Sequence, residues 1–348
     1  MPKNPWFAVN LSMFFPGIGQ LYAGETLKGI GFIVSGVVLI AIAAWSIFSA
    51  TGNTVTGLIC LLLFAIAYLF NLFDAYVCIH QSMPMQGAEK IPRTNKDPWF
   101  AVLLSRILPG LGQLYTGQAL VGAVFLSFII ICSSLNGIFS NLFLFPPIIS
   151  AVACYHVFVT FPRKNTQHYP IIAVLAGGIL ALGLVISYLP SWIQQEVELF
   201  EIPSKSMLPT LQVGDRIFVN ISSDYSPKQG DVIVFIEPES AKLLDAERET
   251  EKERFFVKRV VGEPGQEIRI ADGVVTINNQ PLQEGYIAES LGYQWGPTLV
   301  PEDSYFVLGD NRNNSFDSHV WGFLPKQNII GQAYKVYWPP ERIQSLIE

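Results

Sequence analysis

Residues 170–220 read PIIAVLAGGILALGLVISYLPSWIQQEVELFEIPSKSMLPTLQVGDRIFVN, and their character changes part-way along. Pro170–Leu189 carries no charge and is almost wholly apolar. That predicts a helix long enough to cross the roughly 30 Å hydrocarbon layer of a bilayer. Past Trp192 the chain turns polar, and Pro203, Pro209 and Gly214 punctuate it before the β-branched run DRIFVN. Ser204 and Ser206 lie between the two regimes, on either side of Lys205.

Working outward, the same division holds for the whole chain. Half of the 348 residues are hydrophobic and only 14% are charged, against about 25% in an ordinary soluble domain; mean hydropathy is +0.36. Residues 1–190 carry 8 Lys and Arg against 4 Asp and Glu, net +4, and residues 191–348 carry 14 against 24, net −10. An acidic soluble part argues against nucleic acid as a partner. Cys60, Cys78, Cys132 and Cys154 all lie in apolar stretches of the first part. The soluble part therefore has no cysteine for a disulfide framework or a metal pair, and chemistry without metal or organic cofactor is expected.

Upstream of residue 170, spanning helices are expected at Gly29–Ala50, Thr54–Cys78, Ala119–Ser140 and Leu142–Phe161. PWFAVNLSMFFPGIGQLYAGETLKGIGF from Pro5 matches PWFAVLLSRILPGLGQLYTGQALVGAVF from Pro98 at 17 of 28 positions, which predicts a tandem duplication over residues 1–165. The expected parts are a first membrane repeat (1–80), a cytoplasmic loop (81–97), a second repeat (98–165), an anchor helix (170–189) and a soluble domain (191–348). The PG-x-GQLY-x-G element breaks each repeat with Pro, Gly and Gln, and suits a re-entrant or interfacial turn better than a straight span. Lys90, Arg93 and Lys96, and then Arg163 and Lys164, mark cytoplasmic loops under the positive-inside rule. Five spans keep both loops inside and deliver residue 191 to the far side; seven spans would leave the first loop outside.

Downstream, DRIFVN, GDVIVFIE, FFVKRVVG, QEIRI, GVVTINN and QAYKVYW alternate as strands of an all-β, mostly antiparallel domain. Ser240–Arg254 is charged and rich in helix formers, as expected of a surface insertion. A serine becomes a nucleophile only beside a base, with donors aimed at the developing oxyanion. His80, His156 and His168 belong to the membrane part, so His319 is the single histidine open to a Ser–His–Asp arrangement. Lys258 in FFVKRVVGEPG is an alternative base if its apolar strand desolvates it, since a lysine titrates at about 10.4 in water. Alternation would point Lys258 and Arg259 to opposite faces, one buried and one wet. Lys205 adjoins Ser206 on the chain, where neighbouring side chains diverge.

Four segments, SKSMLPT, GDVIVF, FFVKRVVGEPG and GDNRNNSFDSHVWGFLP, occur in the order of the conserved boxes of type I signal peptidases, and the chain resembles that family over residues 200–340. The resemblance implies a membrane-bound serine endopeptidase with a Ser/Lys dyad. Ser206 would be the nucleophile and Lys258 the general base. The Ser204 hydroxyl with the Ser206 N–H would form the oxyanion hole, and Ser315 would orient the lysine. Asp310, Arg312 and Asp317 would hold the loop together through buried polar pairs. Phe200, Ile202, Pro203, Met207, Leu211, Phe256 and Val257 would wall shallow pockets for a small-x-small motif. The implied partners are preprotein signal peptides and the lipid bilayer, with the secretion translocon as a further candidate.

The version NRNNSFDSH is similar to that of cyanobacterial and thylakoid processing peptidases, so the membrane is plasma or thylakoid, with the catalytic domain periplasmic or lumenal. Lys205 stands where the family often has Gly, and Asn313 and His319 replace an acidic and a basic residue, which predicts the loss of one loop ion pair. The competing readings are another Ser/Lys hydrolase of the self-cleaving repressor type, or an idle scaffold whose duplicated half binds partners.

Overall fold

The computed structural model describes residues 3–82, 96–135, 140–162, 168–222, 225–244 and 254–347. Lys90, Arg93, Arg163, Lys164 and residues 245–253 of the charged insertion lie outside them. The chain divides into two compact units: residues 1–42 with 59–191, and residues 43–58 with 192–348.

The first unit is helical. Its repeated segments begin with short helices α1 (Pro5–Ser12) and α5 (Pro98–Ile107), then α2 (Ile18–Ala23) and α6 (Leu111–Thr116). Asn4 caps α1 by accepting from Phe7 N, and Asp97 caps α5 by accepting from Trp99 N and Phe100 N. Between the short helices the chain turns at Gly17 (φ 99°) and Gly110 (φ 106°), a conformation in which a Cβ would be strained. A Cβ at either position would also strike the backbone carbonyl of Gly29 or Gly122. The PG-x-GQLY element is therefore a helix–turn–helix break in both segments.

The recurring glutamines have a structural reason. Gln20 Nε2 donates to Asn71 O at 3.0 Å and its Oε1 accepts from Ser12 Oγ at 3.4 Å. Gln113 Nε2 donates to Ala153 O at 2.9 Å and its Oε1 accepts from Ser105 Oγ at 3.2 Å. Each ties the broken helix to a longer one where the backbone has no water to bond. Asn4 Nδ2 donates to Asp97 Oδ2 at 2.9 Å, so the two caps also hold each other.

The long helices are α3 (Thr26–Phe48), α4 (Thr54–Ser82), α7 (Ala119–Leu135), α8 (Phe145–Val159) and α9 (Tyr169–Gln194). Among the described residues four helical segments are long and apolar enough to cross a membrane: Thr26–Phe48, Thr54–Gln81, Leu142–Val159 and Tyr169–Gln194. The expected span at Ala119–Ser140 is a shorter apolar helix, α7, and part of its expected length falls outside the described residues.

The second unit is antiparallel β. One sheet has the order β1 (Val197–Glu201), β2 (Arg216–Asn220), β11 (Ile329–Trp338), β3 (Val232–Ile236), β4 (Phe255–Gly262), β9 (Ser304–Leu308) and β10 (Leu324–Pro325), with β12 (Gln344–Ser345) on β11. The other runs β7 (Gln280–Pro281), β6 (Val274–Ile277), β5 (Glu267–Ala271) and β8 (Trp295–Leu299). The six runs read as strands form strands β2 to β6 and β11. The anchor helix runs past the expected Leu189: α9 continues to Gln194, and β1 then pairs with β2 along its length. Leu199 and Glu201 point outward from an edge strand, and that exposure hides its β pattern.

Candidate active site

Two elements from distant parts of the sequence converge on one point. The first is the turn between β1 and β2. Ile202 N donates to Asp215 O at 2.8 Å and Gly214 N to Ile202 O at 2.9 Å, closing the loop at its base. Inside it, Leu208 N donates to Lys205 O and Leu211 N to Met207 O, which fixes Ser206 at the crest. Met207 and Leu211 anchor the turn in a core with Ile202, Ile217, Val234 and Val336. The second element is β4, where Lys258 lies opposite Ile233 of β3.

Lys258 Nζ lies 2.7 Å from Ser206 Oγ, where it donates a hydrogen bond. Both side chains are nearly covered, at 4% and 8% exposure. Burial lowers the lysine to about 8, although the nearby Asp317 and Asp310 charges pull the other way. Ser204 Oγ lies 3.2 Å from Ser206 Oγ.

A loop after β9 closes the site from behind. Asn311 N donates to Ser206 O at 3.0 Å, and Asn311 Nδ2 to Lys205 O at 3.1 Å. At Gly309 a Cβ would collide with both Ser206 O and Ser315 Oγ, so this position has room only for hydrogen.

A cleft of about 520 Å³ opens beside the serine, lined by Phe200, Ile202, Pro203, Ser204, Met207, Phe255, Phe256 and Val257 among others. A second, of about 760 Å³, adjoins the same two polar groups and is bordered by Lys205, Arg254, Asn313, Asn314, Ser315 and Phe316.

Residues 173–338 match the family described as signal peptidase, peptidase S26. A signal peptidase I of Leptolyngbya laminosa is 50% identical over 147 residues, covering 42% of this chain and 70% of that one. The chain belongs to the signal peptidase S26 family. A probable signal peptidase I-1 of Synechocystis is 45% identical over 166 residues, 47% of this chain and 82% of the relative. A probable thylakoidal processing peptidase 2 of Arabidopsis thaliana is 40% identical over 148 residues, 42% of this chain and 39% of the longer plant protein. Membership makes the β-rich unit that of a serine peptidase.

Most residues singled out from the sequence meet here, and some depart from expectation. Leu211 does not line the cleft: it is wholly buried, because the turn at Met207–Leu211 directs it into the core. Ser315 Oγ borders the second cleft but is buried without a hydrogen-bond partner, so the expected bond to Lys258 is not formed in this state. Arg259 is not wet. It is 5% exposed, its Nε and Nη2 donate to the two oxygens of Asp310 at 2.8 and 2.7 Å, and Tyr286 stacks on it at 3.9 Å.

Asp310, Arg312 and Asp317 are all buried, yet they do not pair with one another. Arg312 makes a bidentate pair with Glu284, and Asp317 accepts from Gly309 N at 2.9 Å while capping α10 (Ser318–Trp321). His319 Nδ1 lies 2.7 Å from Asp317 Oδ1 and its ring stacks on Tyr293, so a histidine contact occupies the position where an ion pair was expected to be lost. Glu284, Thr210 and Tyr286 were missed: Thr210 closes the SKSMLPT segment but was given no role, and its hydroxyl donates to Asp310, while Glu284 and Tyr286 lie outside any motif and are revealed by their partner arginines. Phe255 and Arg254 also line the cleft, and alternation around Lys258 would have selected only one of them: Arg254 shares the parity of Lys258, whereas Phe255 does not.

Proposed function

We propose that the chain removes signal peptides from exported preproteins, cutting after a small-x-small motif through a Ser206/Lys258 dyad. The observation that carries the reading is the 2.7 Å contact between Ser206 Oγ and a buried lysine lowered toward neutrality. With Lys258 as the free amine, the same contact reverses and Ser206 O–H donates to it. Ser206 Oγ then attacks the scissile carbonyl while its proton passes to Lys258 Nζ. The Ser204 hydroxyl and the Ser206 N–H stabilise the oxyanion. Collapse breaks the peptide bond, and the leaving amine takes the proton from Lys258. Water, deprotonated by the same lysine, then frees the acyl group and restores Ser206. Ser315, bordering the same cleft, would orient Lys258 after a rotation about χ1.

The substrate segment would lie extended in the apolar cleft, with small side chains entering between Phe200, Ile202, Pro203, Met207, Phe256 and Val257. Asp310, Arg312 and Asp317 would keep the loop behind the dyad rigid. The duplicated sequence at Pro5 and Pro98, with equivalent caps, turns and glutamine ties, supports a tandem repeat of membrane modules. Five spans place the catalytic unit on the periplasmic or lumenal side of a plasma or thylakoid membrane. The hydrogen bonds from Lys335 to the α3–α4 tip favour this over seven spans, which would put that tip on the opposite side. The lipid bilayer is then a constant partner, and the membrane repeats are candidate contacts for a translocon.

Purified protein in detergent is to be given a preprotein with an Ala-x-Ala site. Cleavage by the wild type, lost in Ser206→Ala and Lys258→Met, is the expected result. A wild type inert toward several such preproteins would reject the reading in favour of an idle scaffold.

A further inference from the structure

The mechanism proposed above uses one of the two clefts that meet at Ser206 and gives the other no role. Both are lined by Ser204, Ser206, Arg254, Phe256 and Lys258. Beyond these, the first cleft adds mainly apolar side chains from the C-terminal end of β1 and from β4. The second, of about 760 Å³, adds Lys205, Asn314 and Phe316 among others. None of its described lining residues is acidic, and Lys205 and Arg254 bring two cations to it. That inverts the local charge, since residues 191–348 carry 14 Lys and Arg against 24 Asp and Glu, net −10.

These groups stand on a fixed frame. Lys205 O accepts from Leu208 N at 3.2 Å and from Asn311 Nδ2 at 3.1 Å, and Asn311 N holds the next carbonyl, Ser206 O, at 3.0 Å. The exposed Lys205 side chain therefore leaves a pinned backbone directly beside Ser206. Arg254 has Glu237 Oε1 at 3.9 Å from its Nη1, whereas Lys205 forms no ion pair among the described residues. Asn314 is exposed, and its side-chain amide makes no hydrogen bond among the described residues. Phe316 meets Phe256 edge-on with centroids 6.5 Å apart, which gives the cleft an apolar wall beside its polar one.

We infer that the second cleft is the subsite for the residues just after the cut, and that Lys205 and Asn314 make it select acidic side chains there. This rests on the peptidase reading above, in which the segment before the cut lies in the first cleft. The scissile carbonyl must sit at Ser206 Oγ, so the chain beyond it leaves on the side that the first cleft does not occupy. A carboxylate in the second cleft would meet the Lys205 ammonium and the N–H donors of Asn314, while its methylene rests on Phe316. Exposed charges of this kind act weakly, each by a factor of about two to five. They bias the choice among substrates and leave the chemistry at Ser206 unchanged.

The test gives the full chain, in an uncharged detergent, two preproteins identical up to an Ala-x-Ala cut. Beyond it one carries Asp-Asp and the other the isosteric Asn-Asn. At about 50 mM salt kcat/KM should favour Asp-Asp about fivefold. At about 0.5 M salt the Debye length falls to about 4 Å, and the preference should drop below about twofold. Each ratio is internal to one protein sample, so a variant that folds poorly still reports it. Lys205→Met should about halve the ratio, and Lys205→Glu should bring it to about one or below. Asn314→Asp, which leaves Lys205 in place, should also lower it about twofold. A wild type that cuts both preproteins equally, or a preference unmoved by Lys205→Glu, overturns the acidic subsite and leaves the peptidase reading standing. A wild type inert toward both rejects the peptidase reading itself, and the subsite with it.

Discussion

Lys258 and Arg259 are neighbours on one strand, equally buried, and treated in opposite ways. Arg259 meets a carboxylate through two hydrogen bonds and an aromatic face; burial alone would lower its guanidinium, and Asp310 more than reverses that. Lys258 meets a hydroxyl, and burial brings it down to about 8. The difference teaches where stability is given up: a charge compensated by an acid is architecture, and a charge left uncompensated is available as a base. The largest expected effect breaks this contrast outright. Lys258→Met should lower kcat/KM on the order of 10⁴-fold or more. It should also make the fold more stable at neutral pH, by on the order of 3 kcal/mol, because an uncompensated charge is removed. Thermal unfolding beside the activity assay checks both, and a destabilised variant would contradict the account of Lys258 as an uncompensated charge.

Arg259→Met removes the compensated partner and should have the reverse signature. Asp310 would remain fully buried with, among the described residues, only the Thr210 hydroxyl to donate to it, and stability should fall by about 3–5 kcal/mol. Activity per folded molecule should decline much less than in Lys258→Met. Denaturant titration together with active-site labelling of the folded fraction separates the two. An Arg259 variant as stable as the wild type would mean that the pair is replaceable.

The pH dependence sharpens the same contrast. The base form of Lys258 grows as pH rises, so kcat/KM should climb about tenfold per unit below about 8 and level off above it. Stability follows the same group with a defined sign. The folded lysine titrates near 8 and the unfolded one near 10.5, so the unfolded chain holds the extra proton between those values. Its contribution to stability therefore rises with pH across that window and is constant below it. In Lys258→Met that rise should vanish, as unfolding measured from pH 7 to 10 would show.

The sequence discloses the two halves of this site unequally. The juxtaposition of Ser206 and Lys258 was legible through the SKSMLPT and FFVKRVVGEPG segments, which resemble the signal peptidase boxes, and six strands were legible as short β-branched runs broken by Gly, Pro and Asp. Arg259 was read as wet, since alternation says which way a side chain leaves the strand but not what covers that face. Its cover comes from Asp310, 51 residues away, and from Tyr286 in a loop with no pattern. Leu211 was misplaced for the same reason: a turn, not a strand, decides its direction. The β1 strand was hidden because an exposed edge need not alternate. Gln20 and Gln113 announced themselves by repetition, while their partners Asn71 and Ala153 do not correspond under the 93-residue offset and could not be paired from the sequence.

The smallest expected effect belongs to Lys205, and it separates burial from mere adjacency. Lys205 flanks Ser206 on the chain and borders the second cleft, yet its side chain is exposed and its carbonyl is held by the loop after β9. The desolvation that acts on Lys258 is missing from an exposed side chain. Lys205→Met should change kcat/KM by no more than about threefold, with stability within ±0.5 kcal/mol as for other surface substitutions. Its pH profile should keep the same rise toward about 8, because Lys258 is untouched. A Lys205 variant that lost the rise, or lost activity to the extent of Lys258→Met, would move the base from the buried lysine to the exposed one and remove the contrast with Arg259 altogether.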